Sequence, residues 1–319
     1  MSARREAMRE TNMKKAISMS KLLPVVMLAL ATLFTATAHA AAPGITGPTF
    51  NLTAQTAYLT QPDGQAIYSW GYGCNGAPSG YAPAAISSTF CNAMQVPGPT
   101  LIVTEGATVT VNLTNGLPTS AGNTSILFPG FAVTSPAGSG VAGLMTQEAV
   151  PGGTVTYTFV ASSPGTRAYY SGTQGDLQVE MGLYGAIIVL PSNSAVLSAC
   201  ATGQAGNLAA EAFWSESDFR LAAAAYDNAK TCYDREYLFQ FSEMDPTIHT
   251  QALAQVTATA GCAAGAAGCS LNVATEPYHP AYFMINGRSM PDDMDPTMPS
   301  SIRISLITAI LTCIQASSH

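Results

Sequence analysis

The chain has 319 residues, of which 47% are hydrophobic and only 10% are charged, and its formal net charge is −7. Residues 1–40 contain six basic and two acidic residues, so the rest of the chain has a formal net charge of −11. This acidic balance argues against binding to nucleic acid or to an anionic membrane surface. About 280 residues follow residue 40, enough for one large domain or two ordinary ones.

Residues 1–40 have the pattern of a secretory signal peptide. A segment with three lysines, at residues 14–21, precedes a short apolar stretch at residues 22–34. Ala38-His39-Ala40 is a small-x-small cleavage motif. The apolar stretch is too short for a membrane span, and the alternative is a retained N-terminal anchor helix. The sequence therefore predicts an exported protein, periplasmic or extracellular, without a membrane span after cleavage.

The seven cysteines all follow the predicted cleavage site. In an exported chain their spacing favours disulfides over a metal site, and the sequence contains no C-x-x-C motif. Spacing alone does not fix connectivity, so pairs that flank local loops are our hypothesis, with Cys313 left over. The predicted pairs are Cys74–Cys91, Cys200–Cys232 and Cys262–Cys269.

Short segments rich in Val, Thr, Tyr and Ile, separated by turn residues, predict an all-β sandwich. In Thr108–Asn115 apolar and polar residues alternate, so Val109, Val111 and Leu113 should share one face. The apolar segment Gly182–Leu190 predicts a buried closing strand. Further predicted strands are Thr49–Thr60, Gln65–Gly71, Leu101–Thr104 and Thr154–Val160.

The second half of the chain predicts a connection and then a second β-rich part. Ser192–Leu221 is rich in Ala, Ser and Gly and has the composition of a connection. Glu236–Glu243 and Tyr282–Ser289 predict strands, and the second of these turns at Asn286-Gly287. Asp245-Pro246 predicts the start of a helix that ends near Ala254, because Asp caps a helix and Pro fits its first turn.

Several motifs, taken in order, resemble segments of the multicopper oxidase family, whose members are copper-dependent oxidoreductases that use O2. The resemblance implies cupredoxin-like Greek-key β-sandwich domains. It gives a first domain at 41–191, a connection at 192–233, a partial second domain at 234–298 and an atypical tail at 299–319. The motifs are Val96-Pro-Gly-Pro-Thr100, Glu105-Gly106, Val150-Pro-Gly-Gly-Thr154, Ser163-Pro-Gly-Thr166, Gly182-Leu-Tyr-Gly185, Asp234-Arg-Glu-Tyr-Leu238, Ser242-Glu-Met-Asp245 and Ile285-Asn-Gly-Arg-Ser289.

The resemblance also implies copper ligands, which this chain lacks. In the family two H-x-H pairs hold copper in the first domain, since residues i and i+2 of an extended segment face the same way. Their positions carry Leu127 and Pro129 in one segment, and Tyr170 and Gly172 in the other. Hydrocarbon side chains offer copper no lone pair, and a phenol is a poor substitute at neutral pH.

The sequence therefore predicts no catalytic, cofactor-binding or metal-binding residues, and no oxidase activity for this chain by itself. Copper is implied only by the family resemblance. We expect Phe128, Tyr169 and Tyr170 to fill the space that copper ligands would occupy.

The other histidines and the nearby carboxylates predict no replacement site. After the cleavage site the chain has His249, His279 and His319, each expected at the surface or in a hydrogen bond rather than as a ligand. The acidic residues Asp234, Glu243 and Asp245 do not have the spacing of a calcium loop and predict a solvated rim.

Three hypotheses for the function remain open. The first is an exported binding or structural module that has lost oxidase activity. The second is a fragment of a longer oxidase, cut by a shifted reading frame, with a poorly packed second domain and an unprotected sheet edge. The third is a copper-binding protein that uses Met290, Met294 and Met298, because thioethers are soft ligands for Cu(I). The sequence identifies no partner.

Overall fold

Two β-sheets packed face to face form the first part of the molecule. The computed structural model describes residues 42–82, 90–201, 220–233 and 235–289. In chain order the strands of this part are β1 (Gly44–Thr46), β2 (Thr49–Thr60), β3 (Ala66–Cys74), β4 (Gly80–Ala82), β5 (Leu101–Thr104), β6 (Thr108–Asn115), β7 (Val141–Ala142), β8 (Gln147–Glu148), β9 (Thr154–Val160), β10 (Gly165–Tyr170) and β11 (Tyr184–Leu190).

One sheet has five strands in the order β10-β11-β5-β1-β4, and the other has four in the order β3-β2-β6-β9. Strands β5 and β11 pair in parallel, as do β2 and β6, so long connections cross between the sheets. The strands β7 and β8 form a small separate hairpin. This all-β sandwich confirms the fold class predicted from the sequence.

Alternation along the strands fills the space between the two sheets. In β6, Val109, Val111 and Leu113 are fully buried, while Thr110 and Asn112 between them lie on the outer face, as predicted. From the opposite sheet, Leu101 and Ile187 enter the same hydrophobic core. The closing strand β11 is buried along most of its length because it lies between two neighbours, β10 and β5.

The second part of the molecule adds a small sheet and a helix. The three-stranded sheet has the order β12 (Phe241–Met244), β13 (Tyr282–Ile285) and β14 (Arg288–Ser289). Helix α1 (Gly175–Glu180) precedes β11, and helix α2 (Pro246–Ala258) follows β12. None of the helices in the described part of the chain is long and apolar enough to span a bilayer.

The start of α2 confirms the predicted cap. The side chain of Asp245 accepts a hydrogen bond from the backbone N–H of Thr247, and Pro246 occupies the first turn. The helix continues to Ala258, one turn beyond the predicted end near Ala254.

The strand predicted at Glu236–Glu243 is too long at its beginning. Pairing starts only at Phe241, because the side chain of Asn286 bonds the backbone of the preceding segment in place of a neighbouring strand. Asn286 Oδ1 accepts from the N–H of Gln240, and its Nδ2 donates to the carbonyl of Leu238. Conversely, β3 extends to Cys74, three residues beyond the predicted end at Gly71.

All three predicted disulfides are present, namely Cys74–Cys91, Cys200–Cys232 and Cys262–Cys269. The second joins the helical residues 194–201 to the segment near residue 230, across a stretch of chain that lies outside the described residues. Cys313, His319, Asp234 and the methionines at 290, 294 and 298 also lie outside the described residues, as does the predicted signal peptide.

Candidate functional site

The two segments that resemble copper-ligand loops lie side by side. Leu127 and Tyr170 form an isolated antiparallel bridge, in which Leu127 N donates to Tyr170 O at 2.7 Å and Tyr170 N donates to Leu127 O at 3.3 Å. Tyr170 is the last residue of β10, so the sandwich itself holds this bridge in place. The fold therefore brings together two positions that are 43 residues apart in sequence.

Three of the four positions that the resemblance assigns to copper ligands, Leu127, Tyr170 and Gly172, lie next to one another. Leu127 is half-buried opposite Tyr170, and its side chain packs against Gly172: a methyl group on Gly172 would fall 2.7 Å from Cγ of Leu127. Pro129 is exposed at the outer end of its loop. The volume between the two loops is thus occupied by a leucine side chain.

Phe128 and Tyr169 do not fill this place, contrary to our expectation. Because neighbours along an extended segment face opposite ways, they point to the other side of the bridge, into the sandwich core. Their ring centroids are 6.0 Å apart, and the Tyr169 hydroxyl donates to the carbonyl of Pro99 at 2.8 Å. Burial raises the pKa of Tyr169 well above its ordinary value, so its hydroxyl stays neutral. Only Tyr170 lies where the sequence placed it.

Gln178 in α1 ties the two loops together through its side-chain amide. Its Oε1 accepts hydrogen bonds from Thr124 Oγ1 at 2.9 Å and from Ser171 Oγ at 2.6 Å. Its Nε2 donates to the carbonyl of Asn123 at 2.8 Å. The side chain is fully buried, so each of these bonds satisfies a group that has no access to water.

Glu148 in β8 makes a second bridge between the loops. Its Oε1 accepts from Thr173 Oγ1 at 2.8 Å, and its Oε2 accepts from Asn123 Nδ2 at 3.0 Å. Ser125 adds a contact, since its Oγ lies 2.8 Å from Thr173 Oγ1. Sequence reasoning did not find Gln178 or Glu148. Neither residue belongs to a motif, and their partners are 7 to 55 residues away in the chain.

The donor set between these loops does not fit copper. The side chains present are a leucine, a tyrosine, hydroxyls, amides and the carboxylate of Glu148, and imidazole or thiolate donors are absent from both described loops. Across the ranges given above, no group of three or more His, Cys, Asp or Glu residues could hold a metal ion. The polar groups satisfy one another instead.

His249 is buried in α2 and hydrogen-bonded, one of the two environments predicted for it. Its Nδ1 lies 2.6 Å from the carbonyl of Tyr68, which can only accept, so Nδ1 carries the hydrogen. Its Nε2 lies 3.5 Å from Glu180 Oε1. Ser69 Oγ is 3.3 Å from Nδ1, but Ser69 is fully buried and cannot meet a substrate, so this contact is not a catalytic triad.

The predicted solvated rim of carboxylates is wrong for Asp245. Glu243 is exposed, but Asp245 is buried and holds two segments together. Its Oδ1 accepts from the N–H of Thr247, and its Oδ2 accepts from the N–H of His279, both at 2.8 Å. Asp245 is buried because a capped helix start here lies against the loop that contains His279.

The comparison with known families decides the relationship. The family model described as multicopper oxidase matches residues 82–194, which include both loops. In this part the chain is similar to the multicopper oxidase family, from which it diverges. The matched residues contain no histidine, and the four positions that the resemblance assigns to histidine carry Leu127, Pro129, Tyr170 and Gly172.

Two curated relatives of this multicopper oxidase-like chain match about a third of it. An L-ascorbate oxidase of Brassica rapa subsp. pekinensis is 40% identical over 96 residues, covering 30% of this chain and 16% of the relative. Multicopper oxidase MCE of Talaromyces pinophilus is 36% identical over 120 residues, covering 37% of this chain and 18% of the relative. The matching part thus spans less than a fifth of each relative's length.

Solved structures of copper proteins also resemble this chain at low identity. A copper nitrite reductase from Nitrosomonas europaea has 20% sequence identity and a TM-score of 0.40, covering 80% of this chain and 61% of that one. A multicopper oxidase from Pediococcus acidilactici has 21% identity and a TM-score of 0.36, covering 50% of this chain and 30% of that one.

Proposed function

We propose that this chain is an exported module of the multicopper oxidase family that does not reduce oxygen and serves a binding or structural role. The observation that carries the proposal is the packing of Leu127 against Gly172 between the two ligand loops. A single lost ligand would leave the rest of a copper site in place. Here the space is filled and the remaining polar groups are paired.

The hydrogen bonds of Gln178 and Glu148 support this proposal. In a copper protein, metal coordination restrains the loops that supply the ligands. In this chain a buried amide and a carboxylate join the same loops through five hydrogen bonds. The loops are therefore fixed by the chain's own side chains, as a structural module requires.

Export is part of the same proposal. Three disulfides connect described residues, and disulfides persist mainly in oxidising compartments. The signal-like pattern at residues 1–40 agrees with this. We also propose the division into a first module at 41–191, a connection at 192–233 and a partial second module at 234–298.

Metal analysis of the purified full chain tests the functional proposal. We expect incubation with Cu²⁺ followed by dialysis to leave substoichiometric copper, and we expect no oxidation of a phenolic dye. The variants His249→Gln and His279→Gln serve as controls for adventitious copper on the two described histidines. Stoichiometric copper together with dye oxidation in the unaltered chain would overturn the proposal.

The third hypothesis has its own outcome in this experiment. If copper binds stoichiometrically without dye oxidation, and replacement of Met290, Met294 and Met298 by Leu abolishes the binding, the chain is a copper-binding protein of the thioether type.

A further inference from the structure

The small sheet of β12, β13 and β14 carries exposed aromatic side chains on its outer face, together with Glu243 and Arg288. Phe241 pairs with Ile285, and Glu243 pairs with Phe283, so these four side chains point to the same side. Phe241 is 74% exposed and Phe283 is 52% exposed. Two large aromatic side chains on one sheet face are therefore left largely in water.

The inner face of the same sheet also carries apolar side chains. Met244 and Met284 are buried there and cluster with Ile67 of β3. An antiparallel sheet with one solvated face normally has polar residues on that face. Here two large aromatic rings stand among the polar residues of the outer face, and large apolar side chains on both faces are typical of a layer that is covered on both sides.

The segment before β12 extends the outer aromatic surface. Tyr237, Phe239 and Phe241 are alternate residues, and consecutive ring centroids lie 6.3 Å and 6.4 Å apart. The rings follow one another along the chain over about 13 Å, the length of four extended residues. We call Tyr237, Phe239, Phe241 and Phe283 the aromatic face. Contiguous exposed apolar surface of this kind marks a site of contact.

We propose that the aromatic face is covered by residues 300–314 of this same chain. The described part ends at Ser289 in β14, two strands from β12, which is about 10 Å across the sheet. The twelve residues between Ser289 and Ile302 can reach about 40 Å when extended. The tether is therefore several times longer than the distance to be crossed.

The composition of residues 300–314 matches the surface. Seven of these fifteen residues are Ile or Leu, and Arg303 is the only charged one. Ile302, Ile304 and Leu306 alternate with Arg303 and Ser305, so an extended segment would present one apolar side about as long as the row of rings. A short tether keeps the two surfaces at an effective concentration in the millimolar range, which favours this contact over one between chains.

The seventh cysteine provides a direct test in the full chain. Six cysteines form the three disulfides, and Cys313 lies inside the proposed covering segment. A new thiol on the aromatic face, introduced by Phe283→Cys, should therefore form a disulfide with Cys313 within one chain. We expect air oxidation to lower the number of free thiols in the denatured protein from two to none. Peptide mapping by mass spectrometry should identify the 283–313 bond.

Two further variants make the result decisive. Leu144→Cys places a thiol at a site that is 92% exposed in the β7–β8 hairpin, and there both thiols should stay free. Phe241→Cys places a thiol for the same disulfide test at a second point of the aromatic face, in case Phe283→Cys does not fold. If both thiols stay free in the variants of the aromatic face, or if the disulfide joins two chains, a different occupant covers this surface and the proposal is wrong.

Discussion

The side chain of Leu127 lies directly against Gly172, so that a methyl group in place of a glycine hydrogen would fall 2.7 Å from Cγ of the leucine. Both residues stand where the family has copper-binding histidines. An imidazole at position 172 would therefore collide with the leucine that now occupies this space.

We expect Gly172→Ala to lower the free energy of unfolding by about 1–3 kcal/mol, since it overpacks a filled space. In a chain that already carries Leu127→Ala, Gly172→Ala should lower the free energy of unfolding by about 1 kcal/mol less, because the two residues are in contact. Urea unfolding of the single and double variants measures both values. Gly175→Ala is the control, because no atom lies within 4 Å of a side chain there. Simple additivity of the two changes would contradict the contact.

Gln178→Leu should lower the free energy of unfolding by about 2–4 kcal/mol, because it leaves the buried groups of Asn123, Thr124 and Ser171 without their partner. We also expect faster hydrogen exchange in the loop at residues 123–130. The control Gln65→Leu changes an exposed glutamine and should cost less than about 0.5 kcal/mol. Equal costs at the two positions would show that the buried amide does not join the loops.

The carboxylate of Asp245 should make the protein sensitive to acid. Burial raises its pKa, but hydrogen bonds from the backbone N–H groups of His279 and Thr247 outweigh burial, so the pKa lies below its ordinary value of 3.8. As the pH falls, the unfolded chain takes up this proton first. The stabilisation is therefore complete above about pH 4 and is lost as the pH falls through the lower pKa of the folded state.

Asp245→Asn should flatten this part of the pH dependence while it keeps an oxygen for the helix cap. Unfolding curves between pH 2 and pH 7 provide the measurement, with Glu243→Gln as a control at an exposed carboxylate nearby. An unchanged slope below pH 4 in the Asp245→Asn variant would show that this carboxylate is not responsible.

Removal of the Cys200–Cys232 disulfide by a double substitution to Ser should lower the free energy of unfolding by about 3–4 kcal/mol, because this disulfide closes a loop of 32 residues. Removal of the Cys262–Cys269 disulfide, which joins residues only 7 apart, should lower the free energy of unfolding by about 2–3 kcal/mol by the same chain-entropy argument. Thermal unfolding of the two variants compares them under identical conditions. A larger loss for the shorter loop would contradict the dependence on loop length.

Local sequence patterns predicted most of the sandwich. Thr49–Thr60, Leu101–Thr104, Thr108–Asn115 and Thr154–Val160 are strands with the predicted bounds. Three of these segments alternate apolar and polar residues, Leu101–Thr104 is a short apolar segment, and turn residues bound them, so neighbouring residues alone indicate their boundaries. The segment before Phe241 has an apolar pattern too, but there a single distant side chain, Asn286, takes the place of a pairing strand.

The sequence by itself showed that no H-x-H pair is present, because such a pair is a local pattern and its absence can be read directly. It also predicted the cap at Asp245 and, as a hypothesis that pairs neighbouring cysteines, the three disulfides, and the structure confirmed both. The tertiary structure decided what the residues in place of such a pair do. Leu127 meets Gly172, and Gln178 reaches Asn123, only after strands far apart in sequence have paired in register. Contacts of this kind depend on the packing of the two sheets, which no short segment specifies.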